Sequence, residues 1–361
     1  MSDPGRAGWL QLTLTPGLGA ATLRKLLAEF GLPENVLAAR RAELARIAPQ
    51  EAIRALDSPE VADAVAQGLR WLEAPGNDLV ALGDPRYPRL LLETPDPPSV
   101  LYCRGRVELL NRPCLAIVGS RNATAQGLSN AEQFARSFAE AGLTIVSGLA
   151  QGIDAAAHRG GLAAAGSTIA VLGTGVDRPY PAANARLADD IAARGLLVSE
   201  FALGTPALAH NFPKRNRVIS GLAQGCLVVE AALASGSLIT ARSAAEQGRE
   251  VFAVPGSIHS PLSKGCHALI KGGAKLAESA DDVLSELGGF RRSGSAAAGA
   301  PAAGAADDEP LLASMGFDPI DVDSLCARAR LPAERVAAEL LRLELAGRVS
   351  LLPGGLYQRI P

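Results

Sequence analysis

The chain has 361 residues, of which 48% are hydrophobic and 20% charged, the make-up of a globular protein of two or three domains with large cores. A formal net charge of -2 excludes a histone-like surface covered in positive charge, although it leaves room for a local basic groove. Five scattered cysteines without CxxC spacing point to neither a disulfide framework nor a metal site. With no stretch of about 18 apolar residues and no signal-like N-terminus, the expected setting is cytoplasmic, without a membrane.

In chain order, residues 1–75 read as short helices. Leu23, Leu26, Leu27 and Phe30 share one helical face, and Pro33 and Pro49 punctuate. Pro16-Gly17-Leu18-Gly19 before Ala20-Ala21-Thr22 reads either as a plain helical turn or as a helix-hairpin-helix, whose glycines let amides approach a phosphate. Residues 76–289 carry short apolar runs: Leu115–Val118, Leu143–Val146, Thr168–Leu172, Leu196–Val198, Leu227–Val229 and Val251–Val254. Most lead through a turn into an Ala-rich helical stretch, which implies a parallel sheet covered on both faces. Leu79–Leu82 and Val100–Tyr102 extend it at its N-terminal side. Residues 290–310 are Ala/Gly/Ser-rich and read as a flexible linker. Residues 311–361 show two helical patterns and a hairpin around Pro353-Gly354-Gly355, the order of a winged helix. Glu334, Glu339 and Glu344 balance Arg335, Arg342 and Arg348 there, so this unit suits protein docking at least as well as duplex reading.

Ligands of open α/β sheets lie beyond the carboxyl ends of the strands. The segments expected there are Gly119-Ser120-Arg121, Ser147-Gly148-Leu149-Ala150-Gln151-Gly152-Ile153-Asp154, Gly173-Thr174-Gly175, and Glu230 followed by Ser235-Gly236-Ser237-Leu238-Ile239-Thr240. Glycine in any one loop could merely permit a tight turn. Several along one sheet edge suggest amides gathered for a ligand with phosphates in a row. A dinucleotide site is not supported, because Gly173-Thr174-Gly175 lacks the third glycine, and no GxxxxGK[ST] occurs. Asp154 and His158, four residues apart, suggest a helical acid–imidazole pair of structural purpose.

The sharpest feature is His210-Asn211-Phe212-Pro213-Lys214-Arg215-Asn216-Arg217, with three cations and no acid between Phe201 and Val229. An aromatic in a loop ahead of a helix starting near Arg217 is either a stacking platform for single strands or a buried ring under a basic turn.

On these strings, together with Val254-Pro255-Gly256, the chain resembles the DNA-processing protein A (DprA/Smf) family. The likeness runs from about residue 116 to residue 283. It implies a Rossmann-like, mostly parallel sheet with an N-terminal helical (SAM/helix-hairpin-helix-like) domain and a C-terminal winged helix. It also implies single-stranded DNA binding without catalysis or cofactor, protection of incoming DNA, loading of the RecA recombinase in natural transformation, and a homodimer. Carried over, Gly119, Ser120 and Arg121 contact DNA, Ser147 and Gly148 form part of an anion cradle, and Gly236, Ser237 and Thr240 close it. Phe212 becomes the stacking platform beside Pro213, with Lys214, Arg215 and Arg217 as groove cations and Asn216 as a polar orienter. The chain departs from many relatives by lacking a Lys shortly before Phe212, where it has Ala207-Leu208-Ala209-His210; Lys214 or Arg178 could substitute. Leu262, Leu269 and Ile270 are assigned to the dimer interface. Two other classes remain open: a phosphoribohydrolase-like enzyme, which Glu230 before Ser235-Gly236-Ser237 only loosely fits, and a duplex-binding regulator.

Overall fold

Runs of three to five apolar residues flanked by helices bury both faces of the central strands, and that burial dictates the architecture. The computed structural model describes residues 3–288, 310–352 and 354–360; residues 290–309, almost the whole expected linker, lie outside them. The strands of the main sheet are β1 (Asn77–Ala81), β2 (Val100–Gly105), β3 (Cys114–Val118), β4 (Thr144–Ser147), β5 (Thr168–Val171), β6 (Leu196–Ser199), β7 (Gly225–Val228), β8 (Glu250–Ala253) and β9 (Lys275–Leu276). They lie in the order β1-β2-β6-β5-β4-β3-β7-β8-β9. From β6 to β9 every pairing is parallel, whereas β1 and β2 join antiparallel at one edge. The expected mostly parallel, Rossmann-like sheet is present.

Every residue of β3 through β7 is buried, as a sheet covered on both sides requires. Alternate residues divide between two cores. Ala116 and Val118 join Val218 and Ile219 of the helix Asn211–Leu222, while Leu115 and Ile117 join Phe134 and Phe138 of the helix Ala125–Glu140.

The N-terminal helices, from Asp3–Leu14 to Pro59–Leu72, have a small core of their own around Leu23, Leu26 and Val36. They also share one with the sheet. Trp9 and Leu10 pack with Leu79, Tyr102 and Leu197, the Trp71 and Tyr102 rings meet edge-on at 6.0 Å, and Arg6 reaches Asp78 at 3.0 Å.

The C-terminal unit pairs β10 (Ile320–Asp321), β11 (Val349–Leu352) and β12 (Leu356–Arg359) in the order β10-β12-β11, against the helices Val322–Ala329 and Ala333–Leu345. Its separate core includes Leu312, Leu325, Val336 and Leu340. The short β10 and the helix Pro310–Met315 escaped the sequence reading because neither is long enough to show a period. Among the described residues no helix is long and apolar enough to cross a membrane.

Candidate functional site

In the sheet order, β3 connects onward to β4 on one side and β7 to β8 on the other. Their adjacent carboxyl ends, hydrogen-bonded side by side, form the switch point where an α/β sheet opens a crevice. A cleft of about 700 Å³ lies there. Gly119, Ser120 and Arg121 from the loop after β3 line one side; Gly236, Ser237 and Thr240, after β7, line the other. Phe212, Pro213, Arg215 and Asn216 complete it, with Asp154 and Leu262 also at its wall.

Backbone dipoles shape this cleft. At the starts of the helices Ser237–Glu246, Asn211–Leu222 and Ile153–Leu162 the N-cap residue makes no side-chain cap bond, although Ser235 Oγ accepts from Ser237 N at 3.3 Å, and residues of the first turn of each line the cleft. Their N-terminal amides carry positive partial charge toward the same space. The neighbouring helix Ala125–Glu140 is closed instead: Thr124 caps it through Gly127 N at 2.9 Å, while Glu230 accepts from Thr124 N at 3.0 Å and from Thr124 Oγ1 at 2.6 Å. Gly152 has φ +77°, and a Cβ there would sit 2.2 Å from Ser120 O, so only glycine lets the two loops approach this closely.

Arg215, expected as a free groove cation, proves to be a buried structural clamp. It is 5% exposed, and its Nη1 donates to Gly148 O and Val171 O, both at 2.5 Å, tying together the ends of β4 and β5. Burial pushes its guanidinium down to about 10, against the pull of Asp154, so it remains charged at neutral pH. Asp154 in turn is held up by burial, with Arg215 pulling it back, and its carboxylate accepts from Gly148 N at 3.1 Å and Ala150 N at 3.3 Å.

The expected Asp154–His158 pair is replaced by two separate sets of bonds. His158 Nε2 accepts from Leu149 N at 3.2 Å, Nδ1 meets Thr168 Oγ1 at 2.7 Å, and Thr168 Oγ1 donates to Ile145 O at 2.8 Å. The imidazole therefore braces Leu149, a non-glycine residue held at φ +60°.

Other expected residues fall outside the cleft. Ser147 is fully buried and donates to Ile117 O at 2.6 Å, so it stitches β4 to β3 rather than cradling an anion. The helix starts at Asn211 rather than near Arg217, and Pro213 is tolerated in the first turn, where its missing N–H leaves no bond unmade. This winding turns Arg217 away, onto Glu200 and Asp96. Lys214 is exposed on that side too; burial holds Glu200 up, and Arg217 and Lys214 pull it back. Arg121 is exposed at the cleft, with its guanidinium carbon 5.9 Å from the Phe212 ring centroid.

A smaller recess of about 70 Å³ adjoins the cleft, lined by Arg121, Gly148, Tyr180, Pro181, Phe212 and Arg215 among others. Tyr180 was missed in the sequence. Its only local signal is a tyrosine between two prolines in a chain with 4% aromatics.

Residues 78–288 match the family model described as DNA recombination-mediator protein A. The chain belongs to this DprA/Smf family. Residues 295–355 match the DprA winged helix domain. Protein Smf of Escherichia coli K12 is 44% identical over 82% of the chain and 81% of its own length. DNA processing protein DprA of Streptococcus pneumoniae is 50% identical over 56% of the chain and 72% of its own. A solved structure of S. pneumoniae DprA, 41% identical, superposes with a TM-score of 0.68 over 78% of this chain and 96% of that one. DprA from Helicobacter pylori, whose structure was described for its single-stranded DNA binding mode, gives 0.53 at 30% identity over 58% and 95%. In this DprA/Smf chain, the loops after β3 and β7 converge on the switch-point cleft, with Ala150 and Asp154 from beyond β4.

Proposed function

We propose that this protein binds single-stranded DNA in the switch-point cleft, without catalysis, protects incoming DNA, and loads the RecA recombinase onto it in transformation and recombination. The observation that carries this reading is the convergence of three helix starts, the Gly119–Arg121 loop and the Phe212 ring on one cleft. Amides and dipoles suit a phosphate backbone, and an aromatic beside them suits unpaired bases. The H. pylori relative's described single-stranded DNA binding mode supports the same ligand. The Glu230 carboxylate, which an enzyme reading would need free, is engaged by Thr124. We place the protein in the cytoplasm and pair two copies through the surface around Leu269 and Ile270.

The deciding experiment is fluorescence anisotropy with a labelled single strand and its duplex. Tighter binding to the single strand is expected, with no free base released from nucleoside monophosphates. A preference for duplex, or release of base, would overturn the reading.

A further inference from the structure

Tyr180 is 49% exposed in a chain with four tyrosines, whereas Tyr87 and Tyr102 are buried. Its ring centroid lies 5.8 Å from that of Phe212 at an interplanar angle of 45°, and both rings line the recess that opens off the main cleft. At this spacing and tilt no base can slide between them. A stacked base must lie on an open face.

The surroundings of Phe212 decide which ring offers more of one. Phe212 is only half-buried by accessible surface, yet it is hemmed in. A Cβ built on Gly173 would come within 2.8 Å of its Cδ1, and the guanidinium carbons of Arg121 and Arg215 lie 5.9 and 6.0 Å from its centroid. Tyr180 stands outside this cluster, and its loop is held in place. Pro179 and Pro181 restrict the backbone on either side. Asn184 Nδ2 donates to Leu149 O at 2.9 Å and to Ala150 O at 3.2 Å, and Thr174 Oγ1 donates to Arg178 O at 2.7 Å. An exposed ring ordered before binding gives up little freedom when a base settles on it.

We infer that Tyr180 is a base-stacking residue of the single-strand site, with Phe212 behind it as a supporting ring and Arg121 placed to hold the adjoining phosphate. The inference rests on the proposed single-strand function and assigns where along the cleft a base is held.

The test compares the full-length protein with Tyr180→Leu and Tyr180→Phe, using a labelled dT oligonucleotide and an abasic strand of the same length. Loss of one stacked base predicts that Tyr180→Leu binds dT about fivefold more weakly or worse. Tyr180→Phe, which keeps the ring, should stay within about twofold of the parent. Binding to the abasic strand should be equal in all three. If the parent ignores single strands, the function itself fails. If it binds but Tyr180→Leu binds dT equally well, or loses abasic binding in proportion, this inference alone is overturned. Photocrosslinking of iododeoxyuridine-substituted DNA to the unsubstituted protein gives a readout independent of variant folding. Adducts at Tyr180 are expected, and adducts confined to other residues overturn the assignment.

Discussion

At the scale of single residues, burial separates the cations that build the site from those able to touch a ligand. Arg121 is exposed at the cleft, so Arg121→Glu should weaken single-strand binding to all sequences alike without moving the thermal melt. An unchanged affinity in anisotropy would remove Arg121 from the site. Arg215 answers to a different measurement. Replacing it with Met strands Gly148 O, Val171 O and the Asp154 carboxylate, at an expected cost of about 2–4 kcal/mol, visible as a lower denaturation midpoint even without DNA. A protein of unchanged stability would contradict the clamp. His158 supplies a pH test. Burial pushes its imidazole from 6.5 down to about 3, so the folded state holds it neutral while the unfolded chain takes up a proton below about 6.5. The stability it contributes is complete above pH 6.5 and is lost toward pH 3, at up to about 1.4 kcal/mol per pH unit. Asp154, raised by burial, works in the opposite sense as it is protonated. His158→Gln should therefore lose less stability than the parent between neutral pH and pH 5.5. Equal losses would show that His158 does not titrate this way.

At the scale of elements, the helix Asn211–Leu222 sets much of the charge around the cleft. It carries three cations, but its winding sends Lys214 and Arg217 toward Glu200 and buries Arg215. Four free phosphate contacts would give a steep salt dependence. With Arg121 facing the cleft and exposed Lys214 counted as at most one further contact, the log–log slope should be no steeper than about -1.4 per protomer, from roughly 0.7 per contact on single strands. Titration at several salt concentrations measures it, and a slope near about -2.1, one contact more, would mean that Arg217 leaves its carboxylates on binding. The N-terminal helices belong to the same argument. Because Trp9, Leu10 and Trp71 pack on β1 and β2, removing residues 1–75 should expose that core and destabilise the sheet.

At the scale of the whole molecule, the winged helix has a core of its own, so ending the chain at residue 288 should leave most single-strand binding in place. Two-fold pairing is the commonest form of assembly, and two linked clefts would hold one strand far better than one. Light scattering should give twice the 37.1 kDa mass of the chain. Leu269 and Ile270 are only partly buried against the main core, so Leu269→Glu with Ile270→Glu should halve that mass while the protein still melts cooperatively. A folded double variant that remains a dimer would put the interface elsewhere. Leu262, grouped with them in the sequence, lines the cleft instead.

The parallel sheet was legible in the sequence because apolar runs such as Leu115–Val118 and Thr168–Leu172 can be satisfied only by burial on both faces, a local constraint that needs no partner to be known. The glycine loops were legible for the same reason, since the strand ends fix where they must lie. What each charged residue does was not legible. Whether Arg215 meets solvent or two carbonyl oxygens depends on how the ends of β4 and β5 are arranged around it. The company of Tyr180 depends on the loop after β5 folding back beside the start of a helix about thirty residues later. Local pattern specifies which faces are buried. Only the tertiary contacts decide which polar and aromatic groups are used up in holding the loops together and which are left facing the cleft.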